Sequence, residues 1–462
     1  MPDLFRVLTT GATSLAAQTA AAATAAHNLQ NVNTPGYARQ RVNVETTIPA
    51  ETYGSQYIGR GAVLGQVTQA RDRFLEAQLP VAFGNSAGSA ATASALSAVE
   101  VLDPQASGGI SDALAGFYSS LTKLSQNPSD PGLRQAAVGA ARTLSLSFQQ
   151  TRASLEDART GIDRQVSADV NEANGLAAQV ASLNGQIRTA RASGGEPNDL
   201  LDARQKATDR LAELTGAVPV ATSEGDVSLF LAGGGALVTS LQAGKLTALP
   251  DTSQGGHMML QLTTGGITGN LTPGGELGGL LSASNGALRS AVDGLDGLAW
   301  DLAGRVNAVH QAGVDLDGNP GVALFSVTSQ AGAAGQIAVN PAITADPDLL
   351  ATRQGTGGKG DASNVLALLA TQSATLATSG ADAASTLSQI TSAFGTAASS
   401  AKAASEADDA LKGHLTAMRS SVSGVNSDEE LIEMQKAQKA YEAIARVITV
   451  TSSMFDTLLQ IK

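Results

Sequence analysis

The chain of 462 residues contains no cysteine, which excludes a disulfide framework, a thiolate nucleophile and any cysteine-ligated metal site. Aromatic residues make up only 3% of it, so stability has to come from many shallow contacts between small side chains. Cations are also scarce: 29 Lys and Arg stand against 41 Asp and Glu, a formal charge of −12. Nucleic acid and anionic membrane surfaces are bound through clustered Lys and Arg, so this composition argues against both as partners. Nor is there a run of about 18 apolar residues to cross a bilayer. The four histidines, His27, His257, His310 and His414, are isolated, lack metal-ligand spacing and read as surface or interface residues. Residues 11–26 are alanine-rich, but Asp3 occupies the would-be basic region and Gln18, Thr19 and Thr24 interrupt the apolar core. No cleaved signal peptide is expected.

What the chain does have is a matched pair of ends. Leu4, Leu8, Gly11, Leu15, Gln18, Ala22, Ala25, Leu29 and Val32 recur at alternating steps of four and three, as do Leu431, Met434, Gln438, Tyr441, Ala445, Ile448, Ser452, Phe455 and Leu459. Both segments predict narrow-striped helices that pack on other helices. At 1.5 Å per residue they would be roughly 43 and 45 Å long, so they can lie side by side as a stalk. Turn chemistry sets its boundaries. In Asn33-Thr34-Pro35-Gly36-Tyr37, proline pushes Thr34 out of the helical region and Gly36 supplies positive φ, so the first helix stops by Asn33. Ser427-Asp428-Glu429-Glu430 predicts a capping box, Ser427 bonding the third amide while Glu430 reaches back, with the helix starting at Asp428. Stripes this poor in large residues gain too little from one another to offset the ordering entropy of roughly 1 to 2 kcal/mol per residue, so further copies are expected to cover them.

The expected fold is mainly α with a smaller β-rich part. Residues 1–33 and 427–462 form the coiled-coil-like terminal pair, and residues 34–215, 273–312 and 361–426 form a discontinuous helical-bundle domain with an extended segment near 41–68. Residues 216–272 and 313–360, with alternating Val218, Val220, Val227, Leu229 and Leu231 and many glycine turns, read as a β-rich insert.

Several motifs imitate catalytic or binding sites. Gly84-Asn85-Ser86-Ala87-Gly88 satisfies G-x-S-x-G but lies in a Ser/Ala/Gly stretch and reads as a polar linker or helix start. Asp315-Leu316-Asp317-Gly318-Asn319 opens like a calcium loop, yet Pro320 and Ser326 occupy the positions of the required glycine and glutamate, so it reads as a turn. Gly355-Thr356-Gly357-Gly358-Lys359-Gly360 lacks both the first P-loop glycine and the hydroxyl after lysine. Asp428, Glu429 and Glu430 are explained by the helix dipole better than by a carboxylate pair for cleaving peptidoglycan. Asn198, Asp199 and Asp202 read as caps plus an Asp202 to Lys206 pair. No catalytic residue, cofactor or metal site is expected.

The run from Asn28 to Gln40, Asn-Leu-Gln-Asn-Val-Asn-Thr-Pro-Gly-Tyr-Ala-Arg-Gln, and the run Gly424-Val425-Asn426-Ser427-Asp428-Glu429-Glu430 resemble the two ends of bacterial flagellar axial proteins. Asn198-Asp199-Leu200-Leu201-Asp202-Ala203-Arg204 and Gly274-Gly275-Glu276-Leu277-Gly278-Gly279-Leu280-Leu281 are similar to internal signatures of the flagellar hook-associated protein 1 family within that class. The resemblance implies a non-enzymatic structural adaptor between hook and filament, exported through the flagellar type III apparatus and located outside the cell. It also implies a ring of copies as the assembled form, with the hook protein below, a second junction protein on the filament side, and an export chaperone on the C-terminal helix. Another axial protein of rod or hook type, or a flagellar peptidoglycan hydrolase, is the alternative.

Overall fold

The structure is a computed structural model describing residues 2–46, 52–53, 56–57, 61–99, 109–222 and 224–460. Parts of the expected extended segment (47–51, 54–55 and 58–60) and the last residues of the terminal helix (461–462) lie outside the described residues. Helix α1 (Pro2–Gln30) stops before the Asn31–Tyr37 turns, where Gly36 has a φ of +82°. The chain then runs through β1 (Gln40–Thr46), a short hairpin of β2 (Thr52–Tyr53) with β3 (Gln56–Tyr57), and β4 (Ala62–Gln69), which pairs antiparallel with β1. This ribbon lies on α1.

Four helices follow and contribute to the core: α2 (Arg73–Ser97), α3 (Ile110–Gln126), the 62-residue α4 (Pro131–Ala192) and α5 (Asn198–Thr215). Proline at the first turn of α4 and an Asp130 side chain accepting from Leu133 N start that helix, and Phe148, Leu155, Val166, Val170, Ala173, Ala177 and Val180 carry its buried stripe. A break at Ser193–Pro197 folds α5 back along it.

Next come two small antiparallel sheets. One has the order β5 (Val218–Ala221), β6 (Val227–Phe230), β7 (Ala236–Thr239), β8 (Gln242–Ala243); the other contains β9 (Lys245–Pro250), β10 (Met258–Thr264) and β11 (Ile267–Leu271), with β10 in the middle. Both rest on α4. Helix α6 (Gly275–Ser282) leads through a π-helical turn at Ala283–Leu288 into α7 (Arg289–Ala312).

Residues 313–360 depart from the expected β-rich reading. Their only paired strands among the described residues are the two-residue β12 (Phe325–Ser326) and β13 (Ala338–Val339), set among the short helices α8 (Ala333–Gln336) and α9 (Pro341–Ala345). This segment packs on α4 and α7 rather than on the sheets. Side chains tie part of its backbone to the core: the fully buried Arg134 reaches the carbonyls of Pro347, Asp348 and Leu350 and Thr352 Oγ1, besides the Pro128 carbonyl ahead of its own helix, at 2.7 to 3.4 Å. Helices α10 (Ser363–Ala370), α11 (Ala383–Ser423) and α12 (Ser427–Gln460) complete the chain, α11 lying along α2 and α12 along α1.

The G-x-S-x-G motif sits inside α2, and its glycines are there for packing. A Cβ on Gly84 would stand 2.9 Å from Ala212 O, and one on Gly88 would stand 2.8 Å from Gly275 O. Ser86 is buried on the other side of the helix. Gly275 and Gly279 of the 274–281 signature therefore meet Gly88 of α2 at one close crossing, while Gly84 packs on the end of α5. The calcium-like loop closes as a turn: Asp315 accepts from the amides of Asp317 and Asn319 and from Asn319 Nδ2.

Two histidines expected at the surface are buried instead. His310 is enclosed, its Nδ1 bonded to Val322 O at 2.5 Å and its Nε2 accepting from Ala351 N at 2.9 Å, an arrangement that requires the neutral ring. Burial accordingly holds its pKa below the ordinary imidazole value. His257 lies between two carboxylates of α4.

Asp169 on α4 gives a testable electrostatic defect. Burial, then repulsion from Glu276, pushes its pKa up to about 6 from an ordinary 3.8, and its Oδ2 has no hydrogen-bond partner. Because the folded value is the higher one, the penalty is complete above about pH 6 and disappears below the ordinary value. Asp169→Asn is expected to stabilise the protein by about 1 to 3 kcal/mol at about pH 8, and by nothing near pH 3.5. Denaturant titrations at the two pH values measure this, and a variant no more stable than its parent at pH 8 refutes it.

Candidate functional site

The signature segments, far apart in sequence, meet at the root of the two-helix stalk. Asn28, on the last turns of α1, is 1% exposed and uses its whole carboxamide. Its Nδ2 donates to Gln40 O at 2.8 Å and to Glu430 Oε2 at 2.9 Å, while its Oδ1 accepts from Gln40 N at 2.9 Å and Tyr37 OH at 2.7 Å. One side chain thus ties α1, the turn, β1 and α12. Burial, followed by the charges of Asp202, Asp199 and Glu430, raises the Tyr37 pKa and keeps its hydroxyl a donor.

Arg39 forms the second tie. Its Nη1 pairs with Glu429 Oε2 at 2.7 Å, its Nε stands 2.5 Å from Glu430 Oε1 in an ion pair too poorly aligned to be a hydrogen bond, and its backbone N donates to Ser423 O at the end of α11. Glu430 is 3% exposed. The expected capping box is therefore corrected: the cap of α12 is Asn426, whose Oδ1 accepts from the amides of Asp428 and Glu429 at 3.0 and 3.4 Å. Glu430 faces Arg39 and Asn28 because a buried carboxylate gains more from a cation and a carboxamide than from one amide at a solvated helix end.

The 198–204 signature completes the root. Asn198 Nδ2 donates to Val67 O, Asp199 accepts from Gln40 Nε2, and Asp202 accepts from Gln69 Nε2 at 2.8 Å and Arg71 Nη2 at 2.5 Å. Asp202 pairs with Arg71 and not with Lys206, because the ribbon brings a cation onto its buried side. Burial raises the Asp202 and Glu76 carboxyls, with Arg71 opposing at Asp202 and Arg419, then Arg71, opposing at Glu76. A ladder results, Asp202–Arg71–Glu76–Arg419–Asp209, linking β4, α2, α5 and α11. Arg204 donates to Asn184 Oδ1 and Gly225 O. Asn33, Thr34, Pro35 and Gly36 project outward as an exposed turn beside a 290 Å³ cleft reaching Arg71, Glu76 and Arg419.

From this root the stalk extends as an antiparallel pair. Leu4, Leu8, Leu15 and Leu29 are half-buried, and a Cβ on Gly11 would meet Ile448 Cγ1 at 2.8 Å, so the missing side chain there makes room for Ile448. The seam of α12 runs through Glu430, Met434, Ala437, Ile444, Ile448, Thr451 and Phe455. Leu431, Tyr441 and Leu459, placed by periodicity on the same stripe, are 39%, 43% and 59% exposed, and Val32 is 36% exposed. They belong with Val447, Val450, Met454 and Leu458 to an uncovered apolar surface of the stalk. The real seam drifts because a straight helix turns 3.6 residues, not 3.5. Arg39, Asn28 and Asn426 were not picked out as site residues, since only the meeting of the chain ends reveals their partners.

Among the described residues no group of three His, Asp or Glu is placed to hold a metal ion, and no helix is long and apolar enough to cross a membrane. Chemically the root consists of paired charges and buried side-chain hydrogen bonds. Glu429 and Glu430 converge on one arginine rather than facing each other across a cleft.

Residues 96–325 match the flagellar hook-associated protein FlgK helical domain, and residues 419–461 match the flagellar basal body rod FlgEFG protein C-terminal family. The chain is 32% identical to flagellar hook-associated protein 1 of Salmonella typhimurium over 326 residues, which are 68% of this chain but only 58% of that protein's length. It is 28% identical to the Bacillus subtilis protein of the same name over 99% of this chain and 98% of that protein. A solved structure titled the flagellar hook junction protein FlgK from Burkholderia pseudomallei superposes with a TM-score of 0.67 at 20% identity, covering 75% of this chain and all of that one, and shares its mainly α fold.

Proposed function

The chain belongs to the flagellar hook-associated protein 1 family, and from that premise we propose that it is a structural adaptor joining hook to filament, not an enzyme. The observation that carries this reading is the stalk: two long terminal helices locked together at a root by three signature segments, with an apolar surface that the chain itself does not cover. In this proposal further copies cover that surface in a ring, with residues 1–33 and 427–462 lining the tube and residues 34–426 facing outward. The hook protein, a second junction protein and an export chaperone that shields α12 are its partners. Export is through the flagellar type III apparatus, without a cleaved signal.

Deleting the gene should leave hooks without filaments, and restoring the full chain should bring filaments back with immunogold label at the boundary of hook and filament. Restoration by a chain lacking residues 427–462 would sink the proposal. The carboxylates at the start of α12 are engaged with Arg39 and Asn28, which counts against a wall-hydrolase role. Purified protein should leave peptidoglycan intact; lysis lost on Glu429→Gln or Glu430→Gln would overturn the structural reading.

A further inference from the structure

The sheet of β9, β10 and β11 is fastened to α4 at two places of different chemistry. At one end Asn174 clamps Leu246, its Nδ2 donating to Leu246 O at 2.9 Å and its Oδ1 accepting from Leu246 N at 2.8 Å. Nothing in that clip titrates. At the other end His257, 8% exposed, places Nδ1 2.6 Å from Asp163 Oδ2 and Nε2 2.9 Å from Glu156 Oε2, while Met258 N donates to Asp163 Oδ1 at 3.0 Å. An imidazole with one N–H can donate to one carboxylate only, so this arrangement uses both ring protons of an imidazolium. Losing either leaves a carboxylate oxygen against a nitrogen lone pair in a partly shielded site.

Other charges face the same carboxylates. From α4, Arg152 and Arg159 reach Glu156 at 3.5 and 3.6 Å, and Arg159 is itself fixed to Ser284 O. Asp296 takes Arg152, while Arg289 and Asp293 of α7 act on Arg159. In the loop that carries His257, the Asp251 carboxylate accepts from Ser253 N. The arginines on Glu156 come from α4 itself and tie nothing of the sheet, so the proton on His257 is the removable part of the tie between sheet and helix.

We infer that His257 is a proton-operated latch: the outer sheet is hinged on α4 at Asn174 and closed onto Glu156 and Asp163 only while the imidazole carries both protons. The segment around 251–260 then opens as the pH rises through the range in which histidines change charge, and the hinge end stays closed. Hydrogen exchange on the full chain tests this, with the protection of 251–260 divided by that of 245–248 to remove the intrinsic pH dependence. The ratio should fall at least about tenfold between about pH 5.5 and about pH 8.5 in the parent protein. In His257→Gln it should be low throughout. Glu156→Gln should keep it high at both pH values, because a carboxamide can accept from a ring N–H or donate to the lone pair. The slope should survive in Asp169→Asn, which removes the other nearby group titrating in this range. A flat ratio in the parent, or the parent's slope retained in Glu156→Gln, overturns the latch.

Discussion

Cells carrying Ile448→Asp are expected to build hooks without filaments and to lose swimming, while the helical domain of the purified variant melts at its parent's temperature. Ile448 sits on the seam opposite Gly11, where its side chain fills the space a Cβ on Gly11 would take. The substitution removes the roughly 1.5 to 3 kcal/mol gained by burying an aliphatic side chain and sets a carboxylate where pairing of α1 with α12 excludes water. A loss of about 3 kcal/mol shifts the closed stalk toward the open one more than a hundredfold, and every subunit of the proposed ring would carry the defect. Lys436→Asp is the control: the Lys436 side chain is 65% exposed and pairs with Glu433 one turn away, so it should do much less. Electron microscopy of the two strains decides the matter, and normal filaments on Ile448→Asp cells would remove the basis for stalk-driven assembly.

The largest stability loss is expected at Arg134. Removing its guanidinium abandons the acceptors of five hydrogen bonds, four carbonyls and one hydroxyl, each bond being worth more to a charged donor than to a neutral one. Burial already pushes this arginine's pKa down, with Asp348 and Asp315 opposing, so the site is desolvated. Arg134→Ala should cost on the order of 4 kcal/mol and expose residues 346–353 to protease, with Arg134→Lys recovering little because an ammonium cannot fork to several acceptors. Calorimetry and limited proteolysis provide the measurements. A variant within about 1 kcal/mol of its parent would show that the segment 313–360 is held by something else.

That segment also marks how far the sequence could be read. Helix periodicity and turn residues are local signals, so α1 and the turn at Pro35 were legible from their own residues. The region 313–360 was not, because its glycines and scattered apolar residues match a strand pattern while several of its hydrogen bonds go to the side chains of Arg134, Asn307 and His310 on distant helices. The stalk root was half legible. Its motifs stood out as matches to a family, but no spacing rule says that Arg39 meets Glu430 or that Asp202 chooses Arg71. The acidic start of α12 looked complete as a cap, and its tertiary partner prevailed because buried charges need cations more than helix ends need carboxylates.

The bond from Asn28 to Glu430 joins residues 402 apart in sequence, which makes the root a contact of extreme contact order. Closing so long a loop gains nothing until nearly the whole chain is present, whereas the helices and sheets between can form locally and early. A chain emitted from its N-terminus would hold Asn28, Tyr37 and Arg39 half-satisfied until residue 430 arrives. The root therefore bears on completeness of the product: a chain truncated between the end of α11 and Glu430 keeps every helix of its middle but cannot shut its stalk, and in the proposed ring it would lack the closed pair of α1 and α12.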